Sequence, residues 1–395
     1  MRDTFKSLTF AGGVSLLLAG PAAAMTVEQV ISKHIDARGG AERWKAIESL
    51  EITGSQTAWS KKSPFTLQRK RGGKYHLDST QDGKKVEVGY DGQTAWWDNY
   101  WMQEGAQRLR GPDLAVLMRE VDFPTPFFDY REKGYEVKLV GDSEFEGRKA
   151  IGVEVKRADG LSETWYLDPA TYLEIGRESP GSDFGRPVPL RTYYDDFRTV
   201  DGVKIPFRVE SQWYTRERIL NVEKIATNVA IDDAKFALPP PTGMAPLLPL
   251  VGEWEVSISQ RNGPGAPWRD SERTSLIEPL LSGALLQERF KTGEGNEVVR
   301  SITFDRYKKR YRITEVNDRT TYMDVQEGTF EEGGKLSVNN TATNTTAEMF
   351  GMTIHGRMAI SEITPDGFKL TEDFSTDGGK EWVEAVKATY TRVKK

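Results

Sequence analysis

Cysteine is absent from the 395 residues, and histidine occurs only three times, at His34, His76 and His355. Without cysteine there is no disulfide, no thiolate nucleophile and no lipid-modified Cys. The three histidines are dispersed and show no H-x-x-x-H spacing, so no zinc ligand set is formed. Neither a phosphate-cradling glycine loop nor a G-x-S-x-G elbow occurs. The acidic pairs Asp195-Asp196 and Asp232-Asp233 diverge on a strand or face solvent on a turn, which is poor geometry for acid–base work. A block of basic residues is also missing, and the net charge is −5, which argues against nucleic acid as a partner. After residue 24 no apolar run approaches the roughly 20 residues that a spanning helix needs.

The start of the chain is different. Arg2 and Lys6 make a basic opening, Leu8 to Ala19 is apolar and small, and Ala22-Ala23-Ala24 supplies an A-x-A site. This pattern predicts an export signal over 1–24, cleaved after Ala24, and a soluble periplasmic protein. The rest of the chain is too long for one ordinary core. A proline-rich run, "FALPPPTGMAPLLPL", predicts a stiff connector over 239–249, with one domain over 25–238 and a second over 250–395.

The first domain opens with helical signals. Thr26 and Gln29 have capping-box spacing, Val27, Val30, Ile31 and Ile35 form one stripe, and Gly39-Gly40 ends it before a second short helix at "AERWKAI". Strands come next in pairs, around Asp168-Pro169-Ala170-Thr171 and around Asp201-Gly202. Between the opening helices and these hairpins "GPDLAVLMREV" carries Leu114, Leu117, Met118 and Val121 at helical spacing. The stretches "ARGGAERWKAIESLEITGS", "YDGQTAWW", "WYLDPATYLEIGRES" and "YDDFRTVDGVKIPFRVE" resemble the LolA/LolB-like periplasmic lipoprotein-carrier superfamily, in particular its outer membrane lipoprotein-sorting protein-like members. The resemblance implies a curved antiparallel half-barrel, covered by helices, whose cavity takes acyl chains or another apolar ligand. Trp96, Trp97, Trp101, Leu114, Leu117, Met118 and Phe127 are the expected ligand-binding residues, since clustered aromatics and aliphatics favour such sites. Trp96 and Trp97 are strand neighbours and must face opposite sides.

Beyond the connector the pattern becomes short strands and tight turns, about nine strands in all, which fits an up-and-down barrel. "LVGEWEVSI" at its start and "TYTR" at its end resemble calycins, the lipocalin and fatty-acid-binding protein class, within a bacterial family of unassigned function. The resemblance implies that Trp254 closes one end of the barrel and that Arg392 packs across it. Strand parity agrees, because Val386, Ala388, Tyr390 and Arg392 share one side, and an inward guanidinium gains from an indole face. Any pocket is expected at the other end. His355 falls on the outward parity beside Arg357, which disfavours a haem ligand, and no cofactor is expected.

The fold class read here is mainly β, with two domains, a LolA-like curved half-barrel with covering helices and a closed lipocalin-like antiparallel barrel. The leading function is a non-catalytic periplasmic binding or carrier protein for a hydrophobic ligand, a lipid, acyl chain or similar small molecule. Transient membrane or envelope-protein contact goes with it. An envelope assembly module with filled barrels, and an enzyme acting on a bound hydrophobic ligand, stay open as alternatives.

Overall fold

The computed structural model describes residues 25–100, 105–214, 216–320, 322–349 and 351–394. The expected export signal and Trp101 lie outside the described residues. The chain is mainly β and divides into two compact units. One takes in the chain as far as Gly73 and again from Arg110 to Ile231; the other takes in Lys74–Leu109 and everything from Asp232 onward. Among the described residues no helix is long and apolar enough to cross a membrane.

In the first unit, helix α1 (Val27–Ala37) starts at a reciprocal cap in which Thr26 Oγ1 accepts from Gln29 N and Gln29 Oε1 accepts from Thr26 N. The helix stops at Gly39 and Gly40, both at positive φ. Gly39 is required there, since a Cβ would come within 2.5 Å of Gly202 O. The short helix α2 (Ala41–Lys45) is anchored by the buried Trp44, whose Nε1 donates to Arg38 O. A curved antiparallel sheet carries these helices. Its strand order in this unit is Lys61–Lys70, Ser49–Ala58, Glu217–Thr227, Val203–Trp213, Arg186–Val200, Glu174–Asp183, Ser162–Leu167, Arg148–Lys156 and Glu136–Phe145. Register shifts at Thr53/Gly54, Leu139/Gly141 and Glu174/Gly176 interrupt the ladders, and such bulges bend a sheet. Val30 and Ile31 pack with Phe127, Val153, Val155, Trp165 and Leu167 to form the core on one face.

The second unit contains a four-strand meander (Lys74–Gln81, Lys84–Tyr90, Ala95–Asn99, Gln107–Arg108) and a closed barrel of ten antiparallel strands. The barrel strands are Gly252–Gln260, Arg269–Leu280, Leu285–Lys291, Glu297–Asp305, Arg310–Asn317, Asp324–Phe330, Leu336–Asn339, Met352–Ser361, Gly367–Ser375 and Val383–Arg392. Each pairs with the next and the first pairs with the last, while Ala347–Met349 adds a short flap on Met352–Ser361. Closure leaves no exposed edge. Arg269–Leu280 is the strand that its own pattern conceals: only Ser275 and Ile277 of its residues are buried, so its apolar alternation is too weak to read.

One end of the barrel is packed solid. Met244, which caps the 3₁₀ helix Ala245–Leu250, and Leu247 and Leu250 within it are spaced three residues apart and enter the apolar core with Trp254. The Trp254 indole meets Phe368 edge-on at 5.0 Å, and Phe368 stacks on Tyr390 at 4.1 Å. Arg392 lies 4.2 Å over the indole and donates to Val251 O and Pro249 O. Gly252 makes this approach possible, at φ +142°, where a Cβ would sit 2.3 Å from Arg392 Nη1. Gly252→Ala is therefore expected to destabilise the barrel by about 1–3 kcal/mol, read as a lower urea midpoint; an unchanged midpoint would show that Arg392 can leave the indole at no cost.

Candidate functional site

Helix α3 (Gly111–Glu120) begins with Pro112 in its first turn, and of its ten residues only Leu117 and Arg119 are buried. Polar groups fasten it to the sheet of the first unit. Arg157 Nη1 donates to Met118 O at 3.2 Å, Arg177 Nη1 to Arg119 O at 3.5 Å, and Arg69 Nη2 to Glu120 O at 3.0 Å and to Asp122 O. Three guanidinium groups thus meet carbonyls that a helix C-terminus leaves without partners, at the negative end of its dipole. Below them Glu163 is shared. Its Oε1 accepts from Arg157 and from Trp165 Nε1 at 3.0 Å, and its Oε2 lies 3.6 Å from Arg119 Nε. Arg177 donates to Glu120 at 2.6 Å and lies over the Trp165 ring.

A second buried group lies in the same unit. Arg38 donates to Glu174 at 2.7 Å, and His34 Nδ1 donates to Tyr172 O at 2.9 Å. Burial, opposed by Glu174, pushes the His34 imidazole below its ordinary value, so it is neutral. The ring ties α1 to Tyr172 O and faces Thr125 Oγ1.

The residues expected to bind ligand are distributed over both units. Leu114, Leu117 and Met118 lie on α3, where Leu117 is buried and the other two half-buried. Phe127 is buried edge-on against His34 and Trp165. Trp96 and Trp97 belong to the second unit. The Trp96 indole fills the space over Gly89 and donates to Phe236 O at 2.8 Å, while Trp97 is half-buried.

Inside the barrel, above the Tyr390 ring, the lining turns from apolar to charged. Arg300, 2% exposed, donates to Glu315, Glu288 and Glu372 at 2.7, 2.9 and 2.6 Å. Glu288 Oε1 also accepts from Ser275 Oγ and Tyr390 Oη at 2.7 and 2.8 Å. Arg273 donates to Tyr390 Oη and lies 3.3 Å over the Phe290 ring. Burial, joined by the facing carboxylates of Glu315 and Glu288, pushes Glu372 up to about 7 against the pull of Arg300 and Arg273. Of these residues the sequence pattern points only to Tyr390 as inward, although a signal for the charged ones is there. Glu288 sits between Leu286 and Phe290, and Arg300 between Val298 and Ile302, in rows whose other members face the core. A charge interrupting an inward row on several strands of one barrel marks an interior polar cluster.

Two outcomes are expected. Glu163→Gln removes the charge facing Arg119, Arg157 and Arg177 and should cost on the order of 3–5 kcal/mol in unfolding free energy; a loss near zero would mean that the arginines do not depend on it. Glu372 binds its proton more tightly folded than unfolded, so its stabilising contribution is complete below about pH 4.5 and is lost as pH rises through about 7. The stability difference between the wild type and Glu372→Gln should therefore change with pH across that window, and a flat difference would contradict the assignment.

Residues 245–392 match a family described as "Protein of unknown function (DUF1579)". A comparison with curated proteins finds no match. Among solved structures, the chain is similar to a LolA superfamily protein of Nitrosomonas europaea, at 12% identity over 54% of this chain and 98% of that one, with a TM-score of 0.39. It is also similar to a DUF1329 family protein of Desulfovibrio piger, at 15% identity over 54% and 98%, with a TM-score of 0.37. MucB of Pseudomonas aeruginosa, in the MucA/MucB complex, aligns at 12% identity over 91% and 93%, with a TM-score of 0.19. The residues of the family match take in the strands of the closed barrel.

Proposed function

We propose that the protein is a non-catalytic periplasmic binding or carrier protein whose first unit takes a hydrophobic ligand, a lipid or acyl chain, beneath α3. The observation that carries this reading is how α3 is held. Its attachment is polar, through Arg119 and through carbonyls of its C-terminal end, while its apolar row of Leu114, Leu117 and Met118 buries only the middle residue. A helix serving purely as core would bury the whole row, since each covered CH₂ is worth about 0.8 kcal/mol. An apolar chain entering against this row would gain that contact without disturbing the ionic attachment. Export, expected from the first 24 residues, puts such a ligand within reach of the cell envelope.

Mass spectrometry of organic extracts from protein purified without detergent should find a reproducible, near-stoichiometric lipid. Leu117→Glu should remove it while the circular dichroism of the fold is kept. An empty extract from the wild type, with an envelope protein retained in pull-downs, would favour an assembly module instead.

A further inference from the structure

The charged residues inside the barrel form a belt, and the belt is unbalanced. The inward rows above the apolar floor contribute Arg273 from Arg269–Leu280, Glu288 from Leu285–Lys291, Arg300 from Glu297–Asp305, Glu315 from Arg310–Asn317, Asp324 from Asp324–Phe330 and Glu372 from Gly367–Ser375. Four carboxylates therefore face two guanidinium groups. Arg300 is largely committed, because its Nε, Nη1 and Nη2 all donate to carboxylates and four of its five N–H groups are engaged. Asp324 accepts from Gln326, Asn340 and Tyr322, all uncharged, and makes no ion pair among the described residues. The side chains of Glu315 and Glu372 are 28% and 32% exposed, so the belt reaches solvent at the end away from Trp254.

An independent observation comes from Gln326. The residue is 6% exposed, and it pairs across the ladder with the core residue Ile313. Its Nε2 donates to Asp324 at 2.6 Å, which fixes the orientation of the amide, and its Oε1 is buried without a hydrogen-bond partner. Leaving a buried carbonyl oxygen unpaired costs about 1–3 kcal/mol. Beside it Gly356 packs closely, since a Cβ there would come within 3.3–3.4 Å of Gln326 Nε2, Asn340 Nδ2 and Asp324 Oδ2 and would crowd these groups. The belt thus has surplus carboxylate charge and an idle acceptor, and it needs a donor that is positively charged.

We propose that this belt is a binding site for a ligand bearing a protonated amine, whose N–H groups are taken by Glu372, Glu315 and Gln326 Oε1. A metal ion fits less well, since among the described residues no three carboxylate or imidazole groups gather at a metal-binding spacing. An anion would find Arg273 Nε without a partner but would have to sit among the four carboxylates of the belt, whose charge repels it. The site is independent of the ligand reading of the first unit. It also explains what the surplus charge does in the free protein: a proton on Glu372 relieves it, and an ammonium group would replace that proton. The groups facing Glu372 are Arg300, Glu315, Arg273 and Glu288, two cations and two carboxylates.

Titration calorimetry on the whole protein tests this with three probes: putrescine as a free amine, n-octylamine as an amphiphilic one, and sodium octanoate as the anionic counterpart. One or both amines should bind at pH 8, at least about tenfold more tightly than at pH 5.5, with proton release at neutral pH seen as a dependence of heat on buffer. Preference for octylamine would identify an amine-bearing lipid, and preference for putrescine a small soluble amine. Glu372→Gln should weaken binding at least about tenfold and abolish its pH dependence. Gln326→Met should weaken it by about fivefold and leave the pH dependence in place, which keeps the test open if the first variant does not fold. The proposal fails if neither amine binds the wild type at millimolar concentration at pH 8, if octanoate binds more tightly than both, or if both folded variants bind like the wild type.

Discussion

Arg300 has almost no surface open to water, and the interior of the barrel is arranged around that fact. A guanidinium so enclosed loses hydration worth several kcal/mol, which only close carboxylates and well-formed hydrogen bonds can return. Glu288, Glu315 and Glu372 do so from three different strands, which ties those strands in one register. Burial, and after it the repulsion from Glu315 and Glu288, raises Glu372, so the arrangement that neutralises Arg300 leaves negative charge to spare. Below this level the barrel is filled by aromatic and aliphatic side chains down to Leu247 and Leu250. The polar and apolar levels are separated by one side chain, Tyr390, whose ring joins the stack with Phe368 and whose hydroxyl donates to Glu288.

The first unit uses buried arginines differently. There Arg157 and Arg177 hold a helix end as well as a carboxylate, and Glu163 is the common counter-charge. Ion pairs of this kind are a weak source of net stability but are intolerant of losing one member. They suit a cover element, because they set where α3 sits without requiring that its apolar face be filled.

Much of the fold was legible from local pattern. The capping box at Thr26, the glycine stop after α1, the Asp168–Thr171 turn and the Asp201-Gly202 hairpin are decided by residues within a few positions of one another. The alternation around Trp254 and Arg392 put both on the inner face, and they meet there. Arg269–Leu280 was not legible, because most of its length faces water on both sides. Of the candidate sites, the α3 residues could be named from helical spacing. The barrel cluster could have been suspected from charges in inward rows, but not assembled, since no rule of spacing says which strands bring their charges to one level.

The sequence by itself determined the opening helices, α3, several of the turns and which side of the clearly alternating strands is apolar, because these depend on periodicity and on the backbone preferences of individual residues. Only the tertiary structure decided that Lys74–Leu109 clusters with the chain beyond Asp232, that Met244, Leu247 and Leu250 become part of the barrel core, and that Arg300 meets three carboxylates. Those outcomes rest on contacts between residues far apart in the chain, where register and closure, and not local propensity, set the distances.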